Sequence, residues 1–155
     1  MDKITAFCNR QLKSVNFWLS AISVILTLVG IILISVSSSV QGYSISELPI
    51  IIVCGILAMV CMLGGIWLSD RFGPHHWSTF VANLASIVLL SFCFANVIMA
   101  RAVLTSSQFS FDAVNTVGWT VLYESFVALG MFLVSAILLV VSGYNGKEAP
   151  ATESN

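Results

Sequence analysis

Four long apolar runs, separated by short polar segments, set the pattern of the chain. A helix needs about 20 predominantly apolar residues to cross the hydrocarbon core of a bilayer, and each run supplies them. The first run is also too long for the apolar region of a secretory signal, which has about 7–15 residues. The pattern therefore predicts four membrane-spanning helices, over residues 17–36, 49–69, 77–104 and 117–142.

The segments outside these runs are short and polar. Residues 1–16 form a leader with three basic side chains, and residues 143–155 form a tail that we expect to be disordered. Neither segment is long enough to bury a core of its own. The predicted organisation is one four-helix membrane domain, residues 17–142, between a leader and a tail.

The segments between the spans predict how the helices are connected. Residues 37–48 and 105–115 read as polar loops, whereas Gly73 and Pro74 mark a tight turn between the second and third spans. Short connections favour antiparallel neighbours in a helical bundle. The fold class expected from the sequence is therefore an all-α, integral membrane four-helix bundle.

Composition supports a membrane protein and argues against nucleic acid as a partner. The chain is 58% hydrophobic and 8% charged, with a mean hydropathy of +0.99, whereas soluble domains carry about 25% charged residues. Its six Lys and Arg residues are scattered and the net charge is -1, but binding to phosphates requires clustered positive charge. The bilayer itself is the first expected partner.

The distribution of basic residues predicts the orientation. Cytoplasmic loops of membrane proteins carry an excess of Lys and Arg. Arg101 alone lies on one side of the predicted spans, and five basic residues lie on the other: Lys3, Arg10, Lys13, Arg71 and Lys147. We therefore expect both termini in the cytoplasm, in a multi-pass protein of the cell (plasma) membrane.

Small and polar residues recur at helical spacing along one stripe of each span. In lipid, such residues allow helices to approach closely and to form interhelical hydrogen bonds. The stripes predict the faces that meet inside a compact bundle, although a homo-oligomer would use the same kind of face. They comprise Ser20, Ser23, Thr27, Gly30 and Ser37; Cys54, Ala58, Cys61 and Gly65; Ala82, Ser86, Cys93, Asn96 and Ala100; and Glu124, Ala128, Ser135 and Ser142.

Glu124 is the most informative single residue, because it lies inside the fourth apolar run. A charge within the membrane is costly unless it is paired, protonated or in contact with water. Arg101, near the end of the third span, is its candidate partner. With a hairpin turn near residue 110, Glu124 faces Asn96, and Arg101 lies about 7–8 Å further along the helix.

Two interpretations of Glu124, Arg101 and Asn96 remain open. They form a buried network that stabilises one helical hairpin, or they form a binding site for a proton, a cation, a polar headgroup or a small solute. Other groups give weaker signals: His75 and His76 are adjacent in a turn, and four dispersed cysteines read as packing residues. The sequence predicts no catalytic residues, no metal site and no cofactor.

Two functions follow from these patterns. The first is a non-enzymatic accessory or interaction subunit of a larger membrane assembly, since the loops are small and no catalytic set is evident. The second is a small oligomeric transporter or solute-binding membrane protein that uses Glu124 and Arg101. The two differ in whether Glu124 faces a water-filled cavity or is enclosed by Arg101 and Asn96.

Overall fold

A computed structural model describes residues 15–72, 77–110 and 116–145, and shows an all-α protein. All four described helices are long and apolar enough to span a membrane. Each predicted span lies inside one of them. The helices are α1 (Val15–Ser39), α2 (Leu48–Phe72), α3 (Trp77–Ser110) and α4 (Thr116–Asn145).

Helix α3 continues beyond its predicted span, so residues 105–110 are helical rather than part of a loop. Hydroxyl side chains in this stretch bond back to the carbonyls of the preceding turn. Thr105 donates to the carbonyl of Arg101 at 2.8 Å, and Ser107 donates to that of Leu104 at 3.0 Å. Because these bonds satisfy the hydroxyls inside the helix, a polar stretch without Gly or Pro does not end it.

The ends of α1 and α4 also extend beyond their spans. Ser37 and Ser39 lie in the last turn of α1, where their hydroxyls donate to the carbonyls of Ile34 and Val36. Helix α4 runs to Asn145, so the start of the predicted disordered tail is helical. The remaining parts of the predicted leader and tail, residues 1–14 and 146–155, lie outside the described residues.

The helices pack as an antiparallel bundle in which each helix contacts the next and α1 returns to α4. The α1–α4 pair has the most extensive contact, followed by α2–α3. One continuous core joins all four helices, with Ile34, Met62, Leu90 and Phe132 among its most deeply buried side chains.

The predicted small-residue stripes largely form the interior faces. The α1 stripe is entirely buried. In the stripes of the other three helices, Ala58, Ser86 and Ala128 are fully buried. Ala100 is exposed on α3, and five other stripe residues are only partly buried: Cys54, Cys61, Ala82, Asn96 and Glu124. The interior positions near the end of α3 are Val97 and Arg101, four residues apart, so Ala100 lies beside this face and not on it.

Hydrogen bonds between hydroxyl groups join α1 to α4. Ser23 Oγ donates to the carbonyl of Ser135 at 2.9 Å, and Ser135 Oγ donates to the carbonyl of Ser23 at 3.0 Å. Thr27 Oγ1 lies 2.9 Å from Ser135 Oγ. All three residues are fully buried. We call Ser23, Thr27 and Ser135 the α1–α4 seam, because their hydroxyl groups form a row of hydrogen bonds between the two packed helices.

Ser135→Ala is expected to lower the free energy of unfolding by about 1 kcal/mol, the size typical of interhelical hydrogen bonds in membranes. The substitution removes the hydroxyl that bonds to Ser23 and Thr27 and changes the volume little. Unfolding in mixed micelles, followed by circular dichroism, measures the loss. Ser91→Ala is the control, because Ser91 is exposed and its hydroxyl donates to Ile87 of its own helix; an equal loss in both variants would contradict the assignment.

Large apolar side chains cover the outside of the bundle. Every helix contributes them, and many expose about half of their surface. They include Ile25 at 60% exposure, Val53 at 63%, Val88 at 60% and Ile137 at 53%. A surface of this kind is stable in lipid or against another apolar protein surface, and not in water.

Candidate functional site

Arg101 is 5% exposed and joins three parts of the bundle. Its Nε donates to Ser125 Oγ of α4 at 3.1 Å, and its Nη2 donates to Ser37 Oγ of α1 at 3.0 Å. Its Nη1 donates to the main-chain carbonyl of Tyr43, in the connection between α1 and α2, at 2.7 Å. We call these four residues the Arg101 cluster.

The two serines of the cluster are oriented to accept these bonds. The hydroxyl proton of Ser125 is donated to the carbonyl of Val121 at 2.8 Å, and that of Ser37 to the carbonyl of Ile34 at 3.1 Å. Each oxygen therefore presents its lone pairs to the guanidinium. Arginine suits this position because its planar group carries five N–H donors in fixed directions.

A turn in the α1–α2 connection supplies the third acceptor. Gly42 has a φ of 85°, a value that the third residue of a type II turn requires and that favours glycine. The turn is closed by the amide of Tyr43, which donates to the carbonyl of Val40 at 3.0 Å. The amide of buried Ile45 then donates to Ser38 Oγ at 2.8 Å, which holds the connection against α1.

The charge of Arg101 is balanced by dipoles and by one acid. Ser37 lies in the last turn of α1, where the carbonyl end of the helix carries partial negative charge. Glu124, half-buried and next to Ser125 in α4, attracts the guanidinium electrostatically. In the part of the chain that the structure describes, the two side chains share no direct hydrogen bond.

The structure brings Glu124 and Arg101 together but leaves Asn96 apart. The Arg101–Ser125 bond sets Glu124 level with Arg101, and not with Asn96 as the predicted register had it. The difference arises because α3 continues to Ser110 and moves the hairpin turn along the chain. Asn96 instead donates to the carbonyl of Phe92 in its own helix at 2.8 Å.

The length of α3 sets the distance between the Arg101 cluster and Trp77 at the other end of the helix. Trp77 is 74% exposed at the start of α3, a common location for tryptophan at a membrane interface. Arg101 lies about 24 residues, or roughly 36 Å, further along the helix, whereas a hydrocarbon core is about 30 Å thick. With Trp77 at one interface, Arg101 and Glu124 lie near the opposite one.

Two members of the cluster were missed in the sequence. Ser125 adjoins Glu124, and placing the hairpin turn a few residues later would have set it opposite Arg101. Tyr43 contributes its main-chain carbonyl, for which the side chain gives no signal. Ser37 was assigned to an interior stripe, but its link to Arg101 could not be read from one helix alone.

The remaining candidate groups do not converge. Among the described residues, no group of three or more His, Cys, Asp and Glu side chains could hold a metal ion. Cys93 is buried and its thiol lies 3.5 Å from the carbonyl of Ile51 in α2, as a packing residue would. His75, His76 and Cys8 lie outside the described residues.

The comparisons with known proteins give no relative. No protein family, curated protein or solved structure matches the chain.

Proposed function

We propose that the protein is a non-enzymatic accessory or interaction subunit that binds a larger membrane protein through its outer faces. The observation that carries this proposal is the hydrogen bonding of Arg101. Its guanidinium links α1, α4 and the segment between α1 and α2. A guanidinium held by three internal acceptors stabilises the bundle and is poorly placed to bind and release a solute.

The hydroxyls of the α1–α4 seam support the same proposal. Ser23, Thr27 and Ser135 bond to one another between two closely packed helices. The interior polar groups thus hold the helices together, and the broad apolar exterior is the surface through which a partner in the membrane would bind.

We further propose that the end of the bundle containing the Arg101 cluster faces away from the cytoplasm, in the plasma membrane. The support is the excess of basic residues in the sequence segments on the other side of the predicted spans, five against one. Both termini would then be cytoplasmic, and Glu124 and Arg101 would lie near the outer leaflet.

Affinity purification in a mild detergent tests the proposed function. The tagged chain is expected to retain one larger membrane protein in a fixed ratio, identified by quantitative mass spectrometry of the eluate. A tagged membrane protein of similar size and abundance serves as the control for nonspecific capture. Purification of the chain alone, at the same yield in several detergents, would contradict the proposal and favour the small oligomeric transporter, for which proton-coupled uptake would then be measured.

A further inference from the structure

We propose that Glu124 binds a lysine or arginine side chain on a transmembrane helix of the partner. This inference rests on the proposed function, and it assigns the chemistry of the partner at one position. It requires a carboxylate that is accessible from outside the bundle, a charge that internal groups balance only in part, and an apolar surface beside it.

The position of Glu124 on α4 meets the first and third requirements. Glu124 is half-buried rather than enclosed. Val127 and Met131 follow it at steps of three and four, a spacing that places all three residues on one flank of the helix. Val127 is 50% exposed, so the carboxylate lies at one end of an apolar flank that remains open to lipid or to another helix.

The hydrogen bonds of Arg101 explain why charge balance is incomplete. The guanidinium donates to Ser37, Ser125 and the carbonyl of Tyr43. It attracts Glu124 electrostatically but donates no hydrogen bond to it, and it also offsets the partial negative charge at the carbonyl end of α1 through Ser37. The carboxylate thus retains the capacity for a direct, charge-assisted hydrogen bond to a second cation.

The depth of Glu124 selects the kind of cation. Glu124 is level with Arg101, near the boundary of the hydrocarbon core, and the surface beside it is apolar. Lysine and arginine near the end of a transmembrane helix extend their charged groups to this depth while their aliphatic parts stay in the apolar layer. A partner helix can therefore cover Val127 with apolar side chains and reach Glu124 with a basic one.

Binding of synthetic helices to the purified full-length chain in lipid nanodiscs tests the inference. One probe is an apolar transmembrane peptide of alanine and leucine with one arginine near its outer end; the matched probe carries leucine at that position. We expect the arginine peptide to bind about tenfold more tightly, measured by fluorescence energy transfer; this factor is the lower end of the couplings measured for close charge pairs at a protein interface. Equal affinities of the two peptides for the wild-type protein would overturn the inference, regardless of the results with variants.

Variants then assign the effect to Glu124. Glu124→Gln is expected to remove the preference for the arginine peptide, whereas Glu47→Gln should retain it, because Glu47 is exposed at the start of α2, which packs against α1 and α3. Loss of the preference in both variants would indicate a nonspecific electrostatic attraction and would contradict the assignment of the binding site to Glu124. If affinity purification yields a partner whose retention Glu124→Gln leaves unchanged, the inference fails and the proposed function stands; if no partner is retained, the proposed function fails independently of the peptide result.

Discussion

Arg101→Met is expected to destabilise the bundle by about 2–4 kcal/mol. The substitution preserves much of the aliphatic volume but removes all three hydrogen bonds of a charged, buried group, and bonds to charged groups contribute about 1.5–3 kcal/mol each. It also leaves Glu124 without its nearby positive charge. The loss stays below the sum of these terms because Ser37 and Ser125 keep their bonds to helix carbonyls.

Equilibrium unfolding in mixed micelles measures this loss, and Arg71→Met is the matched control. Arg71 is an exposed arginine at the opposite end of the bundle, with its guanidinium 5.5 Å from the ring centre of Trp67. Its replacement should cost less than about 1 kcal/mol, as is usual for exposed sites. Equal stability of wild-type protein and Arg101→Met would show that the Arg101 cluster does not hold the bundle together.

Gly30→Val is the second substitution with a large expected effect, about 3 kcal/mol of destabilisation. A Cβ at Gly30 would lie 2.9 Å from the ring of Phe132, and Phe132 is 1% exposed and closely packed. The ring cannot move aside without displacing core side chains, so α1 and α4 would separate. Overpacking of a core typically costs about 1–3 kcal/mol, and the two methyl groups of valine add further bulk against the ring of Phe132.

Gly130→Val in α4 provides the control for Gly30→Val. A Cβ at Gly130 meets nothing within 4 Å, so replacing this glycine in a helix is expected to be neutral or slightly stabilising. In a double-mutant cycle, Phe132→Ala should cost less in the Gly30→Val background than in the wild-type protein, because valine occupies part of the space that the ring leaves. A similar loss in Gly30→Val and Gly130→Val would contradict the close approach of α1 and α4.

The sequence allowed the four helices and most of their interior faces to be predicted, for identifiable physical reasons. Apolar runs of bilayer length are a strong signal, and small residues such as Ser23 and Gly30 mark a face because only they permit close packing in lipid. The ends of the helices were harder to predict. Serines such as Ser107 favour loops in water, but within a helix they bond to the preceding turn.

The site could be predicted only in part. The rarity of charge in the apolar runs identified Glu124 and Arg101, and the structure places them at the same level. Their partners depend on the register of the α3–α4 hairpin and on a main-chain carbonyl, that of Tyr43. Because a shift of a few residues in a turn changes which side chains face each other, one sequence does not determine such contacts.

The proposed role as a subunit is tested most directly by the native mass of the assembly that the chain forms in its own membrane. Native mass spectrometry after gentle solubilisation should give a complex that contains a fixed number of these 16.7 kDa chains and one further membrane protein. A mass that is a simple multiple of this chain, with bound lipid alone, would contradict the account and favour a homo-oligomeric transporter.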